Sequence, residues 1–179
     1  MLLNKDKIII FKSDKIGDFI NFSPCLKIIK DNKSKSHITL VCSVYNYQIA
    51  KNYNKYIDKY IILKNKNFII NLIYHFKNFI MTNYKYLFQL DANSNSYYLS
   101  SLITSEHKST ICFIKNKKII GFKYRVYRPT LSLLKNKFTN YIFCDEDYSK
   151  NFHYQSLYLK LFKRLKFKIT SKKKFFFIK

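Results

Sequence analysis

The stretch "IIIFKSDKIGDFINFSPCLKII", Ile8–Ile29, decides the fold. Lys7–Phe11 is a continuous apolar run, the pattern of a strand covered on both faces. A polar turn, Lys12–Gly17, follows, and a helical turn begins near Asp18. Ser23–Pro24 reads as a helix restart, with serine suited to the N-cap and proline to the first helical position, where its missing N–H costs nothing. Leu26, Ile28 and Ile29 then supply the apolar side of a helix that ends at the polar run 30–36. His37–Cys42 is a second buried strand. A strand, a helix and a strand in this order form a right-handed unit whose strands are parallel.

Working outward, the alternation continues. Tyr45–Asn52 reads as a short helix, Tyr56–Leu63 as a third strand, Phe68–Thr82 as a long helix and Tyr86–Asp91 as a fourth strand. Ser96–Ile103 is expected to be helical, with Ser109–Ile114 a fifth strand and Lys118–Phe122 a sixth. The pattern of Tyr127–Tyr141 fits either state. In Phe152–Leu165, Tyr154, Leu157, Tyr158, Leu161, Phe162 and Leu165 recur at helical spacing. The expectation is an α/β domain, a Rossmann-like parallel sheet flanked by helices, over residues 1–170. The run "KKKFFFIK" within 171–179 reads as the first strand of a further domain, cut short.

Apolar residues make up 47% of the 179, ample for a packed core. The net charge of +24 attracts anions of any kind, whether nucleic acid, lipid headgroups or phosphorylated substrates. The chain is equally crowded with Lys, Asn, Ile, Phe and Tyr, whose codons are AT-rich, so genome composition offers a second origin for the charge. Lysines are spread over all helices and loops, which disfavours nucleic acid as a partner. Cys25, Cys42, Cys112 and Cys144 lack the close pairs of a zinc or redox site, and the first three lie among apolar neighbours, as reduced, buried thiols do. His37, His75, His107 and His153 have no metal-like spacing, so no metal is expected. With two glycines, the chain holds neither a dinucleotide fingerprint nor a Walker loop. Ile8–Phe11 is too short for a secretory signal, and Phe68–Met81 is interrupted by Asn71, His75, Lys77 and Asn78, so a cytoplasmic location is expected.

In an open parallel sheet, ligands bind beyond the carboxyl ends of the strands. Asp18 follows the first strand there and Asp91 ends the fourth, with Asn93 in the polar loop "DANSNS". Gly17 is expected to give freedom at a tight turn, and Asp18 to sit where a helix N-terminus favours negative charge. A carboxylate so placed can take a proton from a hydroxyl within hydrogen-bond reach. The same position suits an acid that only stabilises the first turn.

The stretch "KIIIFKSDKIGDFINFSPCLKIIK" resembles the opening of glycosyltransferase family 9, the ADP-heptose:lipopolysaccharide heptosyltransferases, with its turn R-x-D-R-I-G-D and the following T-P-A-L. Ile16, Gly17, Asp18, Pro24 and Leu26 match, and Lys12 and Lys15 stand for the arginines. "HITLVCS", "NKYIDKYIIL", "YKYLFQLDANSNSYYLSSLI", "KIIGF" and "FHYQSLYLKLFKRLKFKI" are similar to later family segments, in order. The resemblance implies the N-terminal, acceptor-binding half of a GT-B glycosyltransferase, with Asp18 as general base and no metal or cofactor. Lys12, Lys15, Gly17, Asp91 and Asn93 would line the acceptor site. It implies a nucleotide-sugar donor such as ADP-heptose, bound by a second domain. The expectation here is a truncated half, inactive by itself, whether as a gene fragment, a degenerated paralogue or a half whose donor domain another chain supplies. It also implies a lipid-linked saccharide acceptor, with peripheral association at the inner face of the cytoplasmic membrane. The competing expectation is a non-catalytic basic protein that binds nucleic acid or anionic lipid.

Overall fold

The computed structural model describes residues 6–64, 67–145 and 154–169. In chain order these form β1 (Lys7–Phe11), α1 (Ile16–Phe22), α2 (Pro24–Asn32), β2 (His37–Ser43), α3 (Val44–Ala50), β3 (Lys59–Leu63), α4 (Phe68–Tyr74), α5 (Phe76–Phe79), β4 (Tyr84–Gln89), α6 (Ser94–Leu102), β5 (Ser105–Ile119), β6 (Phe122–Arg128), α7 (Leu131–Lys137), β7 (Asn140–Asp145) and α8 (Tyr154–Arg164). The sheet runs β3-β2-β1-β4-β5, all parallel; β7 adds parallel to β5 and β6 adds antiparallel. This is the Rossmann-like α/β fold expected from the sequence, and its strand order reverses between β1 and β4.

Because alternate strand residues face opposite ways, β1 supplies both cores. Ile8 and Ile10 pack with Phe19 and Phe22 of α1, Leu26 and Ile29 of α2, and Leu161 and Phe162 of α8. Ile9 and Phe11 pack with Phe79 of α5, Tyr97 and Leu99 of α6, and Leu134 of α7. The continuous apolar run of β1 is thus the direct product of cover on both sides.

Several boundaries depart from expectation. Ser23 does not cap α2: its backbone is helical and its Oγ donates to the Ile20 carbonyl, so α1 runs almost directly into α2. The expected long helix breaks at His75 into α4 and α5. The residues expected as a sixth strand, Lys118–Phe122, are the tip of a hairpin: β5 continues to Ile119 and the chain reverses through Ile120 and Gly121. In the turn both residues have positive φ, 47° and 83°, the type I′ pattern that matches strand twist. The ambiguous stretch resolves into α7 and β7. His153 and the proposed boundary at residues 170–171 lie outside the described residues.

Candidate functional site

The switch point between β1 and β4 is built around one buried carboxylate. Asp91, 0% exposed, accepts four hydrogen bonds. Ser13 donates from its backbone N–H (2.9 Å) and Oγ (2.7 Å), Gln89 from Nε2 (2.7 Å), and Asn93 from its backbone N–H (3.2 Å). The network extends from Ser13 Oγ to Ser96 Oγ (3.0 Å), and from Thr110 Oγ1, which donates to Gln89 Oε1 (3.2 Å). Asp91 therefore ties the loop after β1 to the end of β4. Its oxygens are fully engaged, which corrects the expectation that it contacts an acceptor. Buried polar groups persist where every partner is present, as here.

Lys12 is corrected in the same way. It is 1% exposed, and its Nζ donates to Asp14 Oδ2 (2.6 Å) and to the Leu90 carbonyl (3.1 Å) while lying 5.6 Å from the centre of the Tyr158 ring. Its backbone carbonyl accepts from Asn46 Nδ2 at 3.0 Å. An ammonium so enclosed orients the loop; it does not reach outward to a phosphate.

Asp14 is the acid that the sequence reading passed over. Burial pushes its carboxyl up to about 7, against the opposing pull of Lys12, and the charges of Asp91 and Asp18 add to the upward push. Its Oδ1 is buried and has no hydrogen-bond partner among the described residues. A carboxyl in this state exchanges its proton near neutral pH. The available signal was the first of the two carboxylates of "KSDKIGD", three residues past the end of β1.

Asp18 sits in the first turn of α1, part-buried, and no hydrogen bond reaches its side chain among the described residues. Gly17, one residue earlier, is exposed with ordinary helical backbone, and a Cβ there would meet open space. Conformational freedom is therefore not what position 17 requires, contrary to expectation; the bare backbone leaves room above the first turn. Lys15 is exposed and precedes α1. Asn93 is exposed, with its Oδ1 accepting from the Asn95 N–H to cap α6.

Over the carboxyl ends of β1 and β2 lies an open hollow of about 440 Å³, lined by Ser13, Asp14, Lys15, Ile16, Ser43 and Tyr45. Tyr45, 71% exposed, presents an aromatic face; the sequence reading missed it because it opens a helix with no motif of its own. The hollow joins hydroxyls, a cation, an aromatic ring and a near-neutral carboxyl, a lining suited to a polyhydroxylated, anionic ligand. Among the described residues, no group of His, Cys, Asp or Glu is arranged to hold a metal ion, and no helix is long and apolar enough to cross a membrane.

No protein-family model and no curated protein matches the sequence. Solved structures do. The glycosyl transferase of family 9 from Veillonella parvula DSM 2008 superposes with TM-score 0.68 at 21% identity, over 96% of this chain and 44% of that one. E. coli heptosyltransferase WaaC with ADP gives 0.63 at 13% identity, over 94% and 49%, and E. coli ADP-heptose lps heptosyltransferase II gives 0.55 at 9%, over 85% and 40%. The chain spans about half the length of these structures, and by fold it is an α/β domain of the kind found in family 9 glycosyltransferases.

Proposed function

We propose that the chain is the acceptor-binding, N-terminal half of a GT-B glycosyltransferase of the heptosyltransferase type. Such an enzyme transfers a sugar from a nucleotide-sugar to a lipopolysaccharide-core or other surface-glycan acceptor. The observation that carries the reading is the grouping of Asp14 and Asp18 at the carboxyl edge of the β1/β4 switch point, beside an open polar hollow, in a fold shared with sugar transferases. Asp18 takes the proton from an acceptor hydroxyl. The freed oxygen attacks the anomeric carbon, the bond from that carbon to the donor phosphate breaks, and the nucleoside diphosphate leaves with the electron pair. Lys15 and Asn93 supply polar contacts to the acceptor, Gly17 leaves space for it, and Asp91 and Lys12 hold the loop in place. A donor-binding domain outside these residues carries the nucleotide-sugar, ADP-heptose being the model donor, since both substrates must be held in register.

The test joins this chain to a family 9 donor-binding domain and measures sugar transfer to a lipid-linked core acceptor. Asp18→Asn is expected to lower kcat by roughly 10²–10⁴-fold, the usual worth of a general base, with the fold intact by circular dichroism. Undiminished transfer by that variant overturns the assignment.

A further inference from the structure

The β5–β6 hairpin stands apart from the rest of the sheet. Thr110 is level with Gln89 at the end of β4, and β5 runs nine residues further to Ile119, roughly 30 Å of extended chain. Phe113 pairs with Cys144 of β7 and with Arg128 of β6. A strand has two edges, so β6 lies on the β4 side of β5, directly beyond the carboxyl end of β4. The hairpin thus projects from the same edge as the candidate site. Past Ile114 its two strands pair only with each other.

Its surface is divided. The tip is apolar and bare: Ile119 is 55% exposed, Ile120 92% and Phe122 79%, and Ile119 and Phe122 face each other across the strands. Below the tip, Lys115, Lys117, Lys118, Lys123 and Arg125 are all exposed. Lys118 is directly opposite Lys123, with Arg125 one pair further down on the same face. Like charges so placed repel. No acidic residue occurs in the sequence between Glu106 and Asp145 to offset them, and none of these cations is in an ion pair among the described residues. Ile120 adds a second local cost. A β-branched residue at φ 47° is an outlier at a turn position that favours asparagine or glycine. Apolar bulk at the apex thus comes at the expense of turn geometry, and positive charge behind it at the expense of cross-strand repulsion.

We propose that this hairpin docks the protein on an anionic lipid bilayer, with Ile119, Ile120 and Phe122 entering the interfacial region and the lysines and arginine behind them meeting lipid phosphates. Apolar burial acts on the tip, and the negative surface potential acts on the collar within a Debye length. A second copy of the chain is a poor occupant, since each copy carries +24. Nucleic acid would engage the collar but leave the apolar tip unused. The inference deepens the transferase reading, whose family resemblance implies peripheral membrane association, by naming the element that docks, and its failure is separable because docking needs neither Asp18 nor a sugar donor.

The protein contains no Trp, so Phe122→Trp makes a sole fluorescent reporter at the tip. Its emission is expected to shift to the blue on adding vesicles of phosphatidylcholine with phosphatidylglycerol, and to stay unchanged with phosphatidylcholine alone. Each lysine near the surface is worth about fivefold in partitioning, so Lys118→Gln with Lys123→Gln should weaken vesicle binding roughly 25-fold. Ile120→Asn should also weaken it, while melting no lower than the parent because the turn is relieved. Asp18→Asn should bind vesicles as the parent does, which separates this test from that of the transferase. The proposal is overturned if the reporter does not shift, if Ile120→Asn binds vesicles undiminished, or if single-stranded RNA displaces the vesicles and binds Ile120→Asn as well as the parent. Self-association lost in Ile120→Asn, without vesicle binding, would equally overturn it.

Discussion

Asp91→Ala should cost the domain far more stability than Asp18→Ala, although both acids sit at the same sheet edge. Removing the Asp91 carboxylate leaves Gln89 Nε2 and the Ser13 N–H without the acceptor each now uses, while Ser13 Oγ can turn to Ser96 and the Asn93 N–H can turn to water. A buried donor left without a partner costs about 1–3 kcal/mol, and two of them set the expected loss at about 3–5 kcal/mol. Asp18 has no side-chain hydrogen bond to lose; only its interaction with the first turn of α1 goes, worth about 0.3–1 kcal/mol. Urea unfolding followed by far-ultraviolet circular dichroism measures both, with a constant slope showing that the unfolded state is unchanged. If Asp91→Ala loses less than about 1 kcal/mol, or less than Asp18→Ala, then Asp91 does not anchor the site and the division between a framework acid and a part-buried acid without side-chain hydrogen bonds fails.

Asp14 gives a pH signature. Its carboxyl is raised from 3.8 to about 7 in the fold, so between those values the folded state binds more protons than the unfolded one, and stability falls as pH rises through that window. The parent should lose up to about 4 kcal/mol relative to Asp14→Asn from pH 4 to pH 7; parallel stability curves for the two proteins would refute the raised value. Phe162→Ala empties a buried site against Phe88 and Phe167, with ring centres 5.3 and 5.6 Å away, and should cost about 3–5 kcal/mol in the same unfolding assay. All four cysteines are buried thiols outside any disulfide, and burial pushes the Cys25 thiol up, Cys42 to about 12 and Cys112 to about 11. A disulfide reagent should therefore titrate four thiols in urea and react only at the rate of opening in native buffer; one rapid equivalent in native buffer would contradict this.

The fold was legible because burial on both sheet faces leaves a mark that a single sequence carries. Ile8–Phe11 is an unbroken apolar run and Ile38–Cys42 is interrupted only by the buried Thr39, and both are central parallel strands. The hairpin was not legible. Lys115–Ile119 carries neither alternation nor an apolar run, and its turn holds isoleucine where sequence rules look for asparagine, so only pairing with β6 reveals the strand. At the site, the positions of Asp18 and Asp91 followed from topology, but which of them faces solvent did not. Burial of Lys12 and Asp91 depends on partners far along the chain, such as Leu90 and Ser13, that no local pattern specifies. Asp14 was missed for the related reason that its raised pKa arises from enclosure, which spacing does not encode.

The clasp between Ser13 and Asp91 joins residues 78 positions apart. Closing so long a loop must precede its reward. During synthesis, β1 can meet β2 well before β4 has emerged, and in that interval the segment bearing Asp14 and Asp18 is tied at Lys12 to Val41 and Asn46 but lacks its clasp to Asp91. Chains halted before about residue 90 would therefore carry every residue that lines the hollow without the clasp that fixes its Ser13 wall, and ligand binding should tighten with length once the fourth strand has docked.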